Sequence, residues 1–161
     1  MRKTAFLLLT AFMLVPAAMF GDSYSKLWKQ VDEAANKDLP KTQIQLLQAI
    51  ADKAEAGGDY GHLLKAETCM ASVLYSISPD SLPPRLARLE DKAEECSKSD
   101  GALSAVYYAA LGKIYSSYRN FSPYAAVGID NSAKAAEFFR KSLADPALLA
   151  SKKALCYEPF V

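Results

Sequence analysis

The chain has 161 residues, 51% of them hydrophobic and 23% charged, with seven glycines and a formal net charge of +1. That size and balance suit a single globular domain, and scarce glycine beside abundant Ala, Leu and Lys favours helix over sheet. There is no basic field to hold nucleic acid and no polybasic run to hold an anionic membrane surface.

The N-terminus has its own pattern. Arg2-Lys3 precedes an apolar run over residues 4–15, followed by Pro16-Ala17-Ala18-Met19-Phe20-Gly21. This is the layout of a secretory signal peptide, residues 1–21, with cleavage expected after Ala17, Ala18 or Gly21. The run is shorter than the roughly 20 residues that cross a bilayer. Losing Arg2 and Lys3 leaves 17 basic against 18 acidic residues. The mature chain, 22–161, is expected to be periplasmic or secreted, without a membrane span.

Ser23 then caps a helix over residues 24–37, with Leu27, Trp28, Val31, Ala34 and Ala35 inward. Asp38-Leu39-Pro40 breaks it, and Pro40 suits the first position of a second helix, where its missing N–H is not needed. That helix runs to about residue 55, with Ile44, Leu47, Ile50, Ala51 and Ala54 inward, and Gly57-Gly58 ends it. Asp59 is expected to cap a third helix over 60–77, carrying Leu63, Leu64, Ala66, Met70, Val73 and Leu74 at helical spacing. After the turn Ser78-Pro79-Asp80-Ser81, Pro83-Pro84 opens a fourth helix ending near Cys96, with Leu86, Leu89 and Ala93 inward.

The fifth predicted helix, 102–118, carries Leu103, Val106, Tyr107, Leu111, Ile114 and Tyr115 at spacings of three and four, with the small Ala110 among them. Its expected partner starts at Asn131 or Ser132 and ends near Ala144. There Ala135, Phe139, Ser142 and Leu143 form one stripe. Small residues on one helix and aromatics on the other predict close packing, holes against knobs. Between these helices lies an aromatic loop, 119–130. Pro146 opens a short last helix, and Cys156 to Val161 reads as an extended apolar strip.

The fold class is therefore all-α: antiparallel helical hairpins in an irregular solenoid or bundle. Tyr108, Leu111, Gly112 and Tyr115 resemble the first-helix pattern of a tetratricopeptide repeat, with Tyr in place of Trp. Ala135, Phe139 and Pro146 resemble its second part, although the connection over 116–130 is far longer than a normal repeat turn.

Few residues point to chemistry. His62 is the only histidine, with Asp59 and Glu67 nearby, but a structural zinc site wants four Cys or His ligands and none are spaced for it. No metal and no cofactor is expected. Asp32-Glu33, Glu90-Asp91 and Glu94-Glu95 lie beside Lys or Arg and read as solvated faces. No nucleophile elbow, Walker loop or HExxH is present. Cys69, Cys96 and Cys156 make an odd count and read as small buried thiols, a Cys69–Cys96 bridge being the alternative. The candidate partner-binding group is Tyr118, Arg119, Phe121 and Tyr124, with Tyr115 beside them, because aromatics with Arg suit protein interfaces. The plainer reading is that these aromatics pack the loop onto its helix.

Two longer stretches are informative together. Tyr24-Ser25-Lys26-Leu27-Trp28-Lys29-Gln30-Val31-Asp32-Glu33-Ala34 leads to Lys37-Asp38-Leu39-Pro40-Lys41. Tyr60-Gly61-His62-Leu63-Leu64-Lys65-Ala66 leads to Ile77-Ser78-Pro79-Asp80-Ser81. In this order they resemble the helical N-terminal region of large secreted alpha-2-macroglobulin-family proteins from Bacteroides-type bacteria. In that family protease trapping depends on later sandwich domains, a bait region and often a thioester. No thioester sequence stands in this chain, so the resemblance implies a truncated or separated N-terminal module without trapping activity, and no family functional residue maps onto it. The expected function is a non-catalytic module that packs against macroglobulin domains or holds another periplasmic protein. The alternative is a small periplasmic enzyme or peptide-binding domain using His62 or the Phe121/Tyr124 loop.

Overall fold

The computed structural model describes residues 23–117 and 131–152. The predicted signal segment, the 118–130 connection and the strip from 153 onward lie outside them. The described residues form seven α-helices and one 3-10 turn, with no strand.

Local chemistry accounts for most of the boundaries. Helix α1, Tyr24–Asn36, starts where the Ser23 hydroxyl accepts from the Lys26 N–H at 3.3 Å. It ends as Asp38 takes φ 51°, a left-handed conformation that Asp and Asn reach more readily than other side-chain-bearing residues. Pro40 opens α2, Pro40–Gly57, and Gly58 closes it at φ 69°. Helix α3, Tyr60–Ile77, leads through the 3-10 turn Pro79–Ser81 into α4, Leu82–Cys96. The start of α5, Gly101–Ser117, is capped by the Asp100 carboxylate, which accepts from the N–H groups of Ala102 and Leu103 at 3.1 Å each. Helices α6, Asn131–Ser142, and α7, Pro146–Ser151, are separated by Asp145, whose carboxylate accepts from the Leu148 N–H at 2.9 Å.

Neighbouring helices pair as α1/α2, α2/α3, α4/α5 and α5/α6, whereas α3 rests mainly on α5 rather than on α4. Helix α5 is therefore the hub, touching α3, α4, α6 and α7. Gln48 meets Arg85 and Glu55 meets Lys92, so α2 and α4 run the same way, each followed by a returning helix. The core is continuous from Leu27 and Val31 on α1, through Leu47, Ile50, Leu63 and Met70, to Tyr107, Leu111, Ile114 and Phe138.

Several expectations need correction. Ala35 is exposed, while Leu46 and Ala49 join the buried face of α2 and Ile44 is half-buried. Leu64, Val73, Leu74, Leu103 and Val106 are also half-buried. On α6 the buried stripe is Ala135, Phe138 and Ser142; Phe139 is 39% exposed and Leu143 63% exposed. The knob-in-hole contact still forms at the edge of this stripe. A Cβ added to Gly112 would stand 2.7 Å from a Phe139 ring carbon, so the ring occupies the space that glycine leaves. Asp59 does not cap α3 with its side chain, which is drawn instead toward α1.

Candidate functional site

Tyr118, Arg119, Phe121 and Tyr124 lie outside the described residues. Their predicted companion Tyr115 is buried, and its hydroxyl donates to Glu90 at 3.0 Å. It belongs to the interior and not to a recognition surface.

The interior polar groups gather in three places. In the first, α1 meets α3. Trp28 Nε1–H donates to His62 Nδ1 at 3.0 Å, and the Tyr24 ring stacks on the imidazole with centroids 3.8 Å apart. Tyr24 donates its hydroxyl proton to Asp59 at 2.6 Å. Lys65 lies over the Trp28 ring and Lys53 over the Tyr24 ring, 4.5 and 5.0 Å from the centroids. His62 is 5% exposed.

The second lies between α2, α3 and α4. Glu67 is 3% exposed and pairs with Arg85, whose side chain is 12% exposed. The same guanidinium donates from Nη1 to Gln48 Oε1 at 3.0 Å, and Gln48 donates in turn to Asp52 at 2.7 Å. Arg85 Nε–H is buried without an acceptor. Above this pair opens a cleft of about 250 Å³, rimmed by Arg88, Asp91, Lys92 and Glu95. Asp59, His62 and Glu67, close in sequence, therefore serve two separate networks.

The third network straps α5 on both sides. Lys92 pairs with Glu55 and donates to the Tyr107 hydroxyl at 3.0 Å. Lys134 donates to Glu90 at 3.0 Å and to the Tyr115 hydroxyl at 3.2 Å. Burial first, and then the nearby Glu55 carboxylate, push the Tyr107 phenol far above its ordinary range. Burial likewise raises Tyr115, partly offset by its bond with Lys134.

Cys69 and Cys96 are free, half-buried thiols rather than fully buried ones, and burial raises both above the ordinary thiol range. Thiolate is the reactive form, so neither has the character of an activated nucleophile. Cys156 is outside the described residues. Of the acidic pairs, Asp32, Glu33, Asp91, Glu94 and Glu95 are exposed. Glu90 departs from the expected solvated role, since it receives both Tyr115 and Lys134.

Sequence reasoning missed Arg85 and Gln48 and treated Glu67 only as a neighbour of His62. A signal was present: Glu67 stands four residues after Leu63 and three before Met70, on the buried stripe of its own helix. A carboxylate on such a stripe requires a cation across the interface. Among the described residues no group of three His, Cys, Asp or Glu side chains is placed to share an ion, and no helix is long and apolar enough to cross a membrane.

Among the described residues the exposed large apolar side chains are Leu39, Ile77, Phe139 and Leu143. Phe139 on α6 and Leu143 just past its end, one turn apart, form an exposed pair. A largely apolar hollow of about 330 Å³ lies between α5, α6 and α7, lined by Ala105, Tyr108, Leu148 and Leu149 among others. Comparison of the chain with protein families, curated proteins and solved structures finds no match.

Proposed function

We propose that the chain is an exported, non-catalytic helical module that holds a protein partner or packs against a neighbouring domain. The observation that carries this reading is the Phe139–Leu143 pair: Leu143, just past the end of α6, is 63% exposed, and Phe139 one turn before it stays 39% exposed although its ring edge rests over Gly112 of α5. An exposed apolar pair with charged residues around it is the surface expected of an interaction site, and on α6 Arg140 and Lys141 adjoin it. The internal commitment of the groups with most chemical potential also favours a scaffold over a catalyst. His62 accepts from Trp28, Asp59 accepts from Tyr24 and Glu67 pairs with Arg85.

Export rests on the Arg2-Lys3 and apolar N-terminal pattern. A relation to the N-terminal region of bacterial alpha-2-macroglobulins rests on the two sequence stretches quoted above, and makes downstream macroglobulin domains the first partners to test.

The test is site-directed photocrosslinking in cells that express the full chain. A photoreactive residue at position 143 is expected to give one discrete protein adduct, one at exposed Glu33 on α1 none, and Phe139→Asp is expected to abolish the adduct. Equal, diffuse labelling from both positions, or none from 143, refutes a binding role for this strip. Recovery of the chain in the cytoplasmic fraction with residues 1–21 intact refutes export.

A further inference from the structure

Trp28 and His62 are the only tryptophan and the only histidine in the sequence, and they are hydrogen-bonded to each other. Indole nitrogen can only donate, so the imidazole nitrogen it meets at 3.0 Å must be without a proton. The bond thus exists for one protonation state of His62. Adding a proton at Nδ1 sets a donor against a donor in a place that is 5% exposed.

The position of this bond gives it leverage. Helix α1 packs chiefly on α2. Among the described residues its polar attachments on the α3 side include Trp28 to His62 and Tyr24 to Asp59, joined by the stack of Tyr24 on the imidazole. Among the described residues, the titratable and charged groups near this cluster include Tyr24 and, one turn after Trp28, Asp32 from α1, Lys53 from α2, Asp59 just before α3 and Lys65 on α3. Lys53 and Lys65 oppose a positive imidazole. Asp59 favours one, but its carboxylate is already engaged by the Tyr24 hydroxyl.

We propose that the Trp28–His62 bond is an acid-sensitive latch that fastens α1 to the remainder of the fold. The sign follows from proton counting. The closed latch holds the imidazole neutral and the open one accepts a proton, so lowering the pH favours opening. The latch is closed above the ordinary histidine range, about 6.5, and loosens progressively below it. This adds a condition to the attachment of α1 and does not depend on which partner, if any, the α6 strip binds.

Hydrogen exchange of the full chain tests it, followed at the single indole N–H and at the α1 amides. Rates are compared at about pH 7.5 and about pH 5, either side of the histidine range, after correction for intrinsic exchange. The expected result is a loss of α1 protection of about tenfold or more at the lower pH, the size that follows from one buried donor losing its acceptor. His62→Gln, whose side-chain oxygen can accept from the indole but cannot take up a proton in this range, is expected to keep α1 protected at both values. Trp28→Phe keeps an aromatic ring without the donor and is expected to exchange equally fast at both. Wild-type protein with the same α1 protection at both pH values overturns the latch without any variant. So does a Trp28→Phe protein that retains the wild-type pH dependence.

Discussion

On its α1 side, α3 is held chiefly by neutral groups, an indole donating to an imidazole and a ring stacked on it, with one phenol donating to the Asp59 carboxylate just ahead of the helix. On its α4 side it is held by a charged pair, Glu67 with Arg85, sunk almost completely in the fold. The two ties fail differently. A neutral hydrogen bond exchanges with water at a net value of about 1 kcal/mol, so losing one loosens a helix without wrecking the core. A buried ion pair contributes little net of its desolvation, but removing one member strands the other. The α1 side is thus suited to opening and closing, and the α4 side to staying shut. The proposed latch at His62, rather than at Glu67, follows this contrast.

The sharpest challenge to that contrast is Glu67→Ala. It leaves the Arg85 guanidinium buried with Gln48 as its remaining acceptor, and the expected loss is about 3–5 kcal/mol by urea denaturation. The companion double variant, Glu67→Leu with Arg85→Met, removes both charges and is expected to recover most of that loss. A double variant as unstable as the single one breaks the comparison, because the pair would then be contributing more than mutual neutralisation.

Tyr24→Phe tests the α1 side. It removes the proton donated to the half-buried Asp59 carboxylate while keeping the stack on His62, and the expected cost is about 1.5–3 kcal/mol. A cost as large as that of Glu67→Ala erases the distinction between the two ties.

Tyr107 extends the comparison to alkaline pH. Its phenol is raised well above the ordinary tyrosine range, with burial the largest cause. The raised folded-state value means that its contribution is complete below the unfolded phenol's range, about pH 10, and is lost as pH rises above it. Tyr107→Phe is therefore expected to make the alkaline fall in stability shallower, read as the urea midpoint across that range. An unchanged slope rules out Tyr107 as its source. The smallest effect belongs to the exposed pair on α6, Glu137 with Lys141 at 2.9 Å. Glu137→Gln is expected to leave the urea midpoint unchanged, since solvent already screens that pair.

Helix positions were largely legible before the structure. Ser23, Pro40, Gly58 and the Asp145-Pro146 step each act on backbone groups within a turn of themselves, so their consequences are local and survive almost any packing. The helical character of the chain, the central place of the helix bearing Tyr107 and Leu111, and the small-against-aromatic pairing of α5 with α6 all followed from spacing. The candidate site was far less legible. Tyr115 looked like part of a recognition group but turned inward to Glu90, and its proposed companions at 118, 119, 121 and 124 fall outside the described residues.

Sequence by itself determined the all-helical class, because helix periodicity and end signals depend on residues close together in the chain. Tertiary structure decided the rest, because a side chain chooses its partner only after helices have been placed. Phe138 and Phe139 are adjacent and equally apolar; α5 takes Phe138 into the core and leaves Phe139 at the edge over Gly112. Asp59 had a local use as a cap, yet its carboxylate accepts from Tyr24, 35 residues away, once α1 has folded back beside α3. Glu67 tolerates burial because α4 brings Arg85 to it. In each case the deciding quantity is the desolvation of a group by a neighbour that chain order does not identify.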